Sequence, residues 1–380
     1  MFENLIKKRL DYPLLIATLM LLAVGLVMIS SASSYSALEL FDNRNKFFEQ
    51  TIMWHTIGLV GMYVVSRISY KVFQRFSFVI LLVCIAILIY PLFAGSEIRE
   101  TRRWFDLFGF QIQPSEFAKA GLILYISAYL ARKDRNPKTL VDKVKYYLIV
   151  SIPIAIIVGL IFLQPNKSTA AVTAALSGAI LFIGGAPIWY LGSIIGAGGA
   201  AFFILSFSQE YSRERLTAYQ NQNADPTGGE YQVMQSLIAL GLGRVWGVGL
   251  GNSLQNKLYV PDPHNDFILA PTGEEFGMIG TVGILILYSV LIYRCIKIAF
   301  DAPDRFSAMV AGGVAALMTI HVVLNYAVVT YLVPTTGVTL PLISYGGSST
   351  IVFMGLLGIV QNIARHRVKE KEKIDKVNYE

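Results

Sequence analysis

The chain has 380 residues, of which 54% are hydrophobic and only 15% are charged, and its mean hydropathy is +0.54. This composition excludes an ordinary water-soluble domain and indicates a membrane protein. The net charge of +7 could suit a nucleic-acid partner, but the positive charges are distributed as in a membrane topology. We therefore predict no nucleic-acid partner.

Apolar runs of roughly 17 to 25 residues recur along the chain, and each is long enough to cross a hydrocarbon core as a helix. The first run follows a basic cluster but shows no signal-peptide cleavage site, so we predict that it is a transmembrane helix. The predicted spans are 14–32, 51–66, 73–93, 115–131, 147–163, 169–184, 187–207, 267–293, 307–333 and 345–363. The sequence therefore predicts an all-α polytopic membrane protein of about ten transmembrane helices in one domain, 1–380.

Lysine and arginine are unevenly divided between the two sides of this map. With the amino terminus inside, about 21 of them fall in cytoplasmic segments and about 10 on the other side, an excess typical of cytoplasmic loops. An even number of spans then places both termini in the cytoplasm, including the tail 365–380. We predict a multi-pass protein of the bacterial cytoplasmic (inner) membrane.

Two long connections lie on the outer side, a polar loop at 94–114 and a large extracytoplasmic loop at 208–266. Loops of such length are usually functional or disordered. The aromatic and aliphatic content of 231–238 predicts that part of the larger loop folds against the membrane surface. Because these loops hold most of the outward-facing charge, we expect the working residues on the non-cytoplasmic side.

Asp266 lies where the larger loop enters an apolar span. A carboxylate that is partly desolvated at such a junction would suit a general base working near neutral pH. Aspartate is also a favoured helix N-cap residue, so local sequence alone leaves a structural alternative open.

Four further charged residues lie inside predicted spans: Glu116, Lys119, Glu274 and Glu275. Charged groups within membrane helices are costly and face the protein interior or a wet cavity. Glu116 and Lys119 are three residues apart and share a helix face, either as a buried structural pair or with Lys119 facing an anionic ligand. For Glu274 and Glu275 a structural ion pair and a functional role are both open.

The outward-facing arginines could recognise phosphate. Arg102, Arg103, Arg213 and Arg215 carry planar guanidinium groups, which bind phosphate oxygens in bidentate fashion. Taken singly, each fits a headgroup contact or a surface pair equally well. Gathered in one cavity, they would form a pyrophosphate clamp.

Seven motifs in order along the chain resemble those of the SEDS family, the shape, elongation, division and sporulation proteins. They are Arg103-Trp104, Gln113-Pro114-Ser115-Glu116 with Lys119, Gln164-Pro165-Asn166, Tyr231-Gln232 with Gln235-Ser236, Pro263-His264-Asn265-Asp266-Phe267-Ile268, Glu274-Glu275-Phe276-Gly277, and Leu340-Pro341-Leu342-Ile343-Ser344-Tyr345-Gly346-Gly347-Ser348-Ser349. The resemblance covers essentially the whole chain. It implies a single SEDS-type membrane domain.

The resemblance implies an inverting peptidoglycan glycosyltransferase that polymerises lipid II and acts with a class B penicillin-binding protein and other division or elongation membrane proteins. It makes Asp266 the catalytic base, which raises that interpretation above the N-cap alternative. The resemblance also implies that Trp104, Glu116, Lys119 and Glu274 are essential cavity residues. With them we predict as substrate-binding residues Arg102, Arg103, Arg213, Arg215, His264, Ser344 and Ser348. A divalent cation, Mg²⁺ or Mn²⁺, could assist the leaving pyrophosphate, and no organic cofactor is expected.

Two positions depart from the family pattern. An acidic residue and glycine often follow Gln-Pro in the family, but Asn166 and Lys167 stand here, so a role for an acidic residue at this point is not expected. Asn265 replaces the threonine that is common before the catalytic aspartate. The segment 334–349 is more similar to the division and sporulation branches than to the elongation branch.

Two other functions fit many membrane helices with internal charges. A transporter or lipid II flippase would use Glu116, Lys119, Glu274 and Glu275 along a path, yet the predicted cytoplasmic loops are short and basic. A scaffold that only positions a partner synthase would tolerate any change at Asp266.

Overall fold

The structure is a bundle of long helices with one small sheet. The computed structural model describes residues 10–94, 96–98, 101–107, 110–132, 139–207, 229–258 and 263–366. In these residues the helices are α1 (Tyr12–Phe41), α2 (Lys46–Arg67), α3 (Tyr70–Ala94), α4 (Pro114–Leu130), α5 (Leu140–Leu163), α6 (Lys167–Ile183), α7 (Ile188–Phe207), α8 (Gly229–Gly243), α9 (Gln255–Leu258), α10 (Leu269–Phe300), α11 (Arg305–Val329) and α12 (Gly347–Arg365). The strands are β1 (Ser96–Ile98), β2 (Thr101–Leu107) and β3 (Phe110–Ile112).

Each predicted span coincides with one long helix, and only α1, α5 and α10 extend well beyond the predicted ends. Within the described residues, six helices are long and apolar enough to cross a membrane by length and composition: α1, α3, α5, α10, α11 and α12. The predicted helical membrane fold is confirmed, and the chain is a multi-pass membrane protein. The count of ten crossings stays a prediction, and the tail beyond residue 366 lies outside the described residues.

The first and last helices meet at one end of the bundle. Asp11 begins α1 by accepting a hydrogen bond from the backbone N–H of Leu14 at 3.2 Å, as an N-cap residue does. Its carboxylate also accepts two hydrogen bonds from Arg294, near the end of α10. The Gln361 side chain bonds both the N–H and the carbonyl of Asp11 at 2.9 Å. Both ends of the helical body therefore lie on the same side, which agrees with an even number of crossings.

The segment 94–114, predicted to be an outer loop, contains a small sheet in an otherwise helical fold. Strands β1, β2 and β3 form an antiparallel sheet in that order. Short β-branched and aromatic segments flanked by polar residues suit such a sheet. The sheet ends directly before α4, because Pro114 starts that helix at a position where its missing N–H costs nothing. The end of the sheet therefore fixes the start of α4, and with it the positions of Glu116 and Lys119 in the first turns of that helix.

Helices α2 and α12 pack closely along their length because glycine faces the partner at two levels. A Cβ atom on Gly58 would lie 2.2 Å from the sulfur of Met354, and one on Gly358 would lie 2.7 Å from the Met62 carbonyl. Membrane helices associate through such small residues, since lipid provides no hydrophobic force between them. These contacts therefore fix the position of α12 against α2.

The predicted span 267–293 is broken, which the hydropathy pattern did not indicate. Gly277, in the first third of α10, has φ 64° and ψ −163°, a conformation essentially restricted to glycine. The loop after α8 replaces the missing helical partners. The carbonyls of Arg244 and Val245 accept hydrogen bonds from the N–H groups of Met278 at 2.9 Å and Ile279 at 3.3 Å.

The same loop also serves the N-terminal side of the break. The N–H groups of Val248 and Gly249 donate to the carbonyls of Glu274 at 2.9 Å and Glu275 at 3.0 Å. Backbone polar groups at membrane depth must be satisfied inside the protein. The loop and the broken helix therefore form one interlocked unit.

Gly243→Ala is expected to destabilise this unit by about 3 kcal/mol, a usual size for overpacking without room to adjust. A Cβ atom there would lie 1.8 Å from the Gly273 carbonyl oxygen, whereas one on Gly241, in the same helix, meets nothing within 4 Å. Thermal unfolding of purified protein should show a lowered melting temperature for Gly243→Ala and little change for the matched control Gly241→Ala. Equal melting temperatures would contradict the packing.

Candidate active site

Asp266 lies in a run of turns, residues 263–268, that leads into α10. The helix begins at Leu269 with Ile268 as its N-cap residue. Asp266 therefore does not occupy the N-cap position, and the alternative interpretation as a helix cap is wrong. Asp266 is partly exposed, while Phe267 and Ile268 beside it are completely buried. Asp266 thus stands at the edge of this apolar segment with part of its surface exposed.

Asn325, in α11, holds the backbone at Asp266. Its Nδ2 donates to the Asp266 carbonyl at 2.7 Å and to the Val338 carbonyl at 2.9 Å. The side chain is 1% exposed, so both hydrogen bonds are shielded from water and hold their geometry. Asn325 was not among the predicted site residues, because a single asparagine in an apolar span carries no local signal.

His264 lies two residues before Asp266 and is packed among aromatic rings. Its ring centroid is 4.3 Å from that of Phe47 and 5.5 Å from that of Tyr345. The Tyr345 N–H donates to the His264 carbonyl at 2.9 Å, and the Tyr345 hydroxyl is 2.5 Å from Gln50 Oε1. The segment that carries Asp266 is thereby tied to α2 and to the start of α12.

Glu116 and Lys119 form a buried ion pair, which confirms that they share a helix face. Lys119 Nζ lies 2.8 Å from Glu116 Oε1 and 2.9 Å from His321 Nε2 in α11. Lys119 is 1% exposed and Glu116 is 5% exposed. The second ring nitrogen of His321 is 3.1 Å from the Thr339 carbonyl. The ion pair of α4 is thus joined to the segment 338–339 that Asn325 also holds.

The hydroxyl oxygens of Ser344 and Ser348 both accept hydrogen bonds from backbone N–H groups. Ser344 Oγ accepts from the Leu340 N–H at 2.9 Å, closing the turn before α12. Ser348 Oγ accepts from the Gln113 N–H at 3.0 Å, which joins α12 to the start of α4. These contacts shape the surroundings of the site, and substrate contact by either serine stays a prediction.

The Glu274 carboxylate hydrogen-bonds residues 253–255, at the start of α9 and in the loop before it. It accepts hydrogen bonds from the Ser253 hydroxyl, from the Leu254 N–H at 3.0 Å and from the Gln255 N–H at 3.3 Å. The side chain is 1% exposed. Of the two alternatives that the sequence left open, these contacts do not supply a structural ion pair, since all three donors are neutral. Glu274 therefore fixes the loop that braces the break in α10.

Glu274→Gln is expected to loosen residues 253–258, because the amide –NH₂ would face backbone N–H groups. Losing hydrogen bonds to a charged acceptor costs about 2 kcal/mol, which should speed amide exchange at Leu254 and Gln255 about 30-fold. Hydrogen exchange by mass spectrometry measures this change.

Glu275→Gln is the matched control. Glu275 Oε1 accepts from two side chains, the Ser31 hydroxyl at 2.5 Å and the Asn256 amide at 3.4 Å, and both can reorient toward an amide. Its carboxylate also hydrogen-bonds the Gly251 backbone, whereas the N–H groups of Leu254 and Gln255 donate to Glu274. Equal exchange rates in the two variants would contradict the role of Glu274.

The phosphate-binding candidates are only partly placed. Arg103 and Trp104 lie in β2 with partly exposed side chains, and Arg102 lies in the same strand. Arg213 and Arg215 fall outside the described residues. A clamp made of these arginines therefore stays a prediction.

A dedicated metal site does not emerge from the described part of the chain. No group of three or more His, Cys, Asp or Glu side chains there could hold a metal ion. Mg²⁺ often needs only one or two protein carboxylates beside substrate phosphates. A divalent cation therefore stays a prediction, and the chemistry below uses only the residues of this chain.

Comparison with known proteins identifies relatives along nearly the full length. The family model described as FtsW/RodA/SpoVE cell cycle protein matches residues 12–369. Stage V sporulation protein E of Bacillus subtilis is 35% identical over 94% of this chain and 97% of its own. A probable peptidoglycan glycosyltransferase FtsW of Trichlorobacter lovleyi is 36% identical over 93% of each chain.

Solved structures agree with this match. A chain of a peptidoglycan synthase complex, studied for the structural coordination of polymerization and crosslinking, aligns with a TM-score of 0.77 at 26% identity, over 95% of this chain and 99% of the other. The rod shape determining protein RodA of Thermus thermophilus aligns with a TM-score of 0.70 at 26% identity, with the same coverage. This chain belongs to the FtsW/RodA/SpoVE family of cell cycle proteins.

Proposed function

We propose that this protein is a peptidoglycan glycosyltransferase that polymerises lipid II at the outer face of the bacterial cytoplasmic membrane. The observation that carries this proposal is the position of Asp266, a partly exposed acidic residue at an apolar edge whose backbone is held by the buried Asn325. Relatives named probable peptidoglycan glycosyltransferase FtsW, 33–37% identical over at least nine-tenths of this chain, support it.

The reaction is a single displacement at a sugar carbon. Asp266 takes the proton from the 4-hydroxyl of the acceptor sugar as that oxygen bonds the anomeric carbon of the donor. The bond between the anomeric carbon and the pyrophosphate oxygen breaks, and the lipid pyrophosphate leaves with the electron pair. Attack from the opposite face inverts the anomeric centre. A positioned general base of this kind contributes about 10² to 10⁴-fold.

Charge that develops on the leaving pyrophosphate needs a fixed cation or donor. Lys119 has three N–H donors, of which Glu116 and His321 take two. We propose that the third donates to a pyrophosphate oxygen. Arg102, Arg103, Arg213 and Arg215 are proposed to add positive charge from the outer segments.

The biological setting is proposed on the same basis. Relatives named for sporulation and for FtsW support a role in division or sporulation. A class B penicillin-binding protein is the proposed partner, since one similar chain comes from a peptidoglycan synthase complex. Both termini are proposed to be cytoplasmic and the site to face outward, as the charge distribution predicts.

The test is lipid II polymerisation by the purified protein with its partner synthase, in penicillin so that crosslinking is blocked. Wild type should make long glycan strands, and Asp266→Asn should polymerise about 10² to 10⁴-fold more slowly. Lipid II translocation in protein vesicles that is lost on Lys119→Ala but kept on Asp266→Asn would favour a flippase. Normal glycan synthesis by Asp266→Asn in cells would favour a scaffold.

A further inference from the structure

His321 is a buried histidine of α11 that the proposed reaction does not use directly. It is 2% exposed, and its ring packs edge-on against Phe353 with centroids 5.1 Å apart. One ring nitrogen, Nε2, lies 2.9 Å from Lys119 Nζ, and the other, Nδ1, lies 3.1 Å from the Thr339 carbonyl oxygen. Both nitrogens are therefore engaged, and the ring has one orientation.

These two contacts decide which nitrogen carries the proton. A carbonyl oxygen can only accept a hydrogen bond, so Nδ1 must be the protonated nitrogen. An ammonium group can only donate, so Nε2 must accept from Lys119 through its lone pair. The Thr339 carbonyl thereby fixes the tautomer in which Nε2 is an acceptor facing Lys119. In histidines generally, the hydrogen bond made by one ring nitrogen sets the protonation of the other.

The Lys119 ammonium is oriented from two sides as a result. Glu116 Oε1 at 2.8 Å and His321 Nε2 at 2.9 Å take two of its three N–H groups. Because the three donors of an ammonium are fixed relative to one another, two bonds also fix the direction of the third. Thr339 directly follows Val338 in the chain. Asn325 hydrogen-bonds the carbonyls of both Val338 and Asp266, so the backbone that orients His321 is linked to the backbone at Asp266.

We propose that His321 is a positioning residue that aims the Lys119 ammonium at the leaving group. This inference rests on the proposed function. It differs from a purely structural role, in which His321 would serve mainly to anchor the segment 338–339 through Nδ1. The two roles use different ring nitrogens and can be separated by substitution.

The experiment compares His321→Gln with His321→Asn in the full-length protein with its partner synthase. Glutamine places an acceptor oxygen near the position of Nε2 and lacks the donor at Nδ1. Asparagine places a donor near Nδ1 and lacks the acceptor at Nε2. We expect His321→Gln to keep polymerisation within about threefold of wild type and His321→Asn to lose about 10- to 100-fold in kcat, as supporting groups of reactive side chains do.

Melting temperatures of both variants and KM for lipid II accompany the rates. High activity of His321→Asn, or loss of tenfold or more in a normally melting His321→Gln, overturns the proposal. If His321→Asn does not fold, the rate of His321→Gln alone decides. Asp266→Asn is assayed in parallel: polymerisation that survives this change contradicts the proposed function, whereas the wrong order of the His321 variants beside an inactive Asp266→Asn contradicts only the role of His321.

Discussion

Asp266→Asn is expected to slow lipid II polymerisation about 10² to 10⁴-fold, the usual contribution of a general base. Asparagine has the same size and keeps the backbone carbonyl that Asn325 holds, but its amide cannot take the proton of the acceptor hydroxyl. The loss should therefore appear in kcat, with KM and melting temperature nearly unchanged. Glycan length and rate from fluorescent lipid II on gels measure the effect.

Asp42→Asn is a suitable control for the same chemical change. Asp42 ends α1, is exposed and has φ 53°, a left-handed conformation that asparagine adopts readily. Its polymerisation rate should match wild type. If Asp266→Asn also polymerises at the wild-type rate, Asp266 is not the base.

The long helices could be predicted because hydropathy is a local property. Every residue of a membrane helix contributes to the same apolar run, so α3, α4 and α7 begin and end within a few residues of the predicted spans. The small sheet at 96–112 was not predicted, since three short strands between polar residues produce no run of comparable length. Local sequence patterns therefore predicted the helices more reliably than the structure of the segment 96–112.

The break in α10 depends on residues far away in the sequence. Glycine is common in membrane helices, so Gly277 by itself did not indicate a break. The break is tolerated because Arg244 and Val245 supply acceptors to Met278 and Ile279. That partnership between a loop and a helix could not be predicted from either segment alone.

In the candidate site, too, some residues could be predicted from local sequence and others depend on distant partners. Asp266 and the pair of Glu116 and Lys119 were predicted from charge in apolar surroundings. His321 and Asn325 were not, because their roles come from partners 202 and 59 positions away.

Lys119→Met is expected to destabilise the protein by about 3–5 kcal/mol, because it leaves the buried Glu116 carboxylate without its cation. Both side chains are almost completely buried, so water cannot replace the lost partner. Thermal unfolding in detergent should show a large drop in melting temperature. Lys71→Met is the control, since Lys71 is exposed at the start of α3, and it should melt like wild type.

The double variant Glu116→Gln with Lys119→Met separates folding from catalysis. Removing both charges eliminates the uncompensated carboxylate, and replacing a buried ion pair by neutral groups of similar volume is often close to neutral for stability. The melting temperature should therefore recover. Polymerisation should stay at least about 10²-fold below wild type, because the donor proposed for the leaving pyrophosphate is still missing. If the melting temperature and the polymerisation rate both recovered, the Glu116 and Lys119 pair would be structural only. His321 could then not act by orienting Lys119 toward the leaving group.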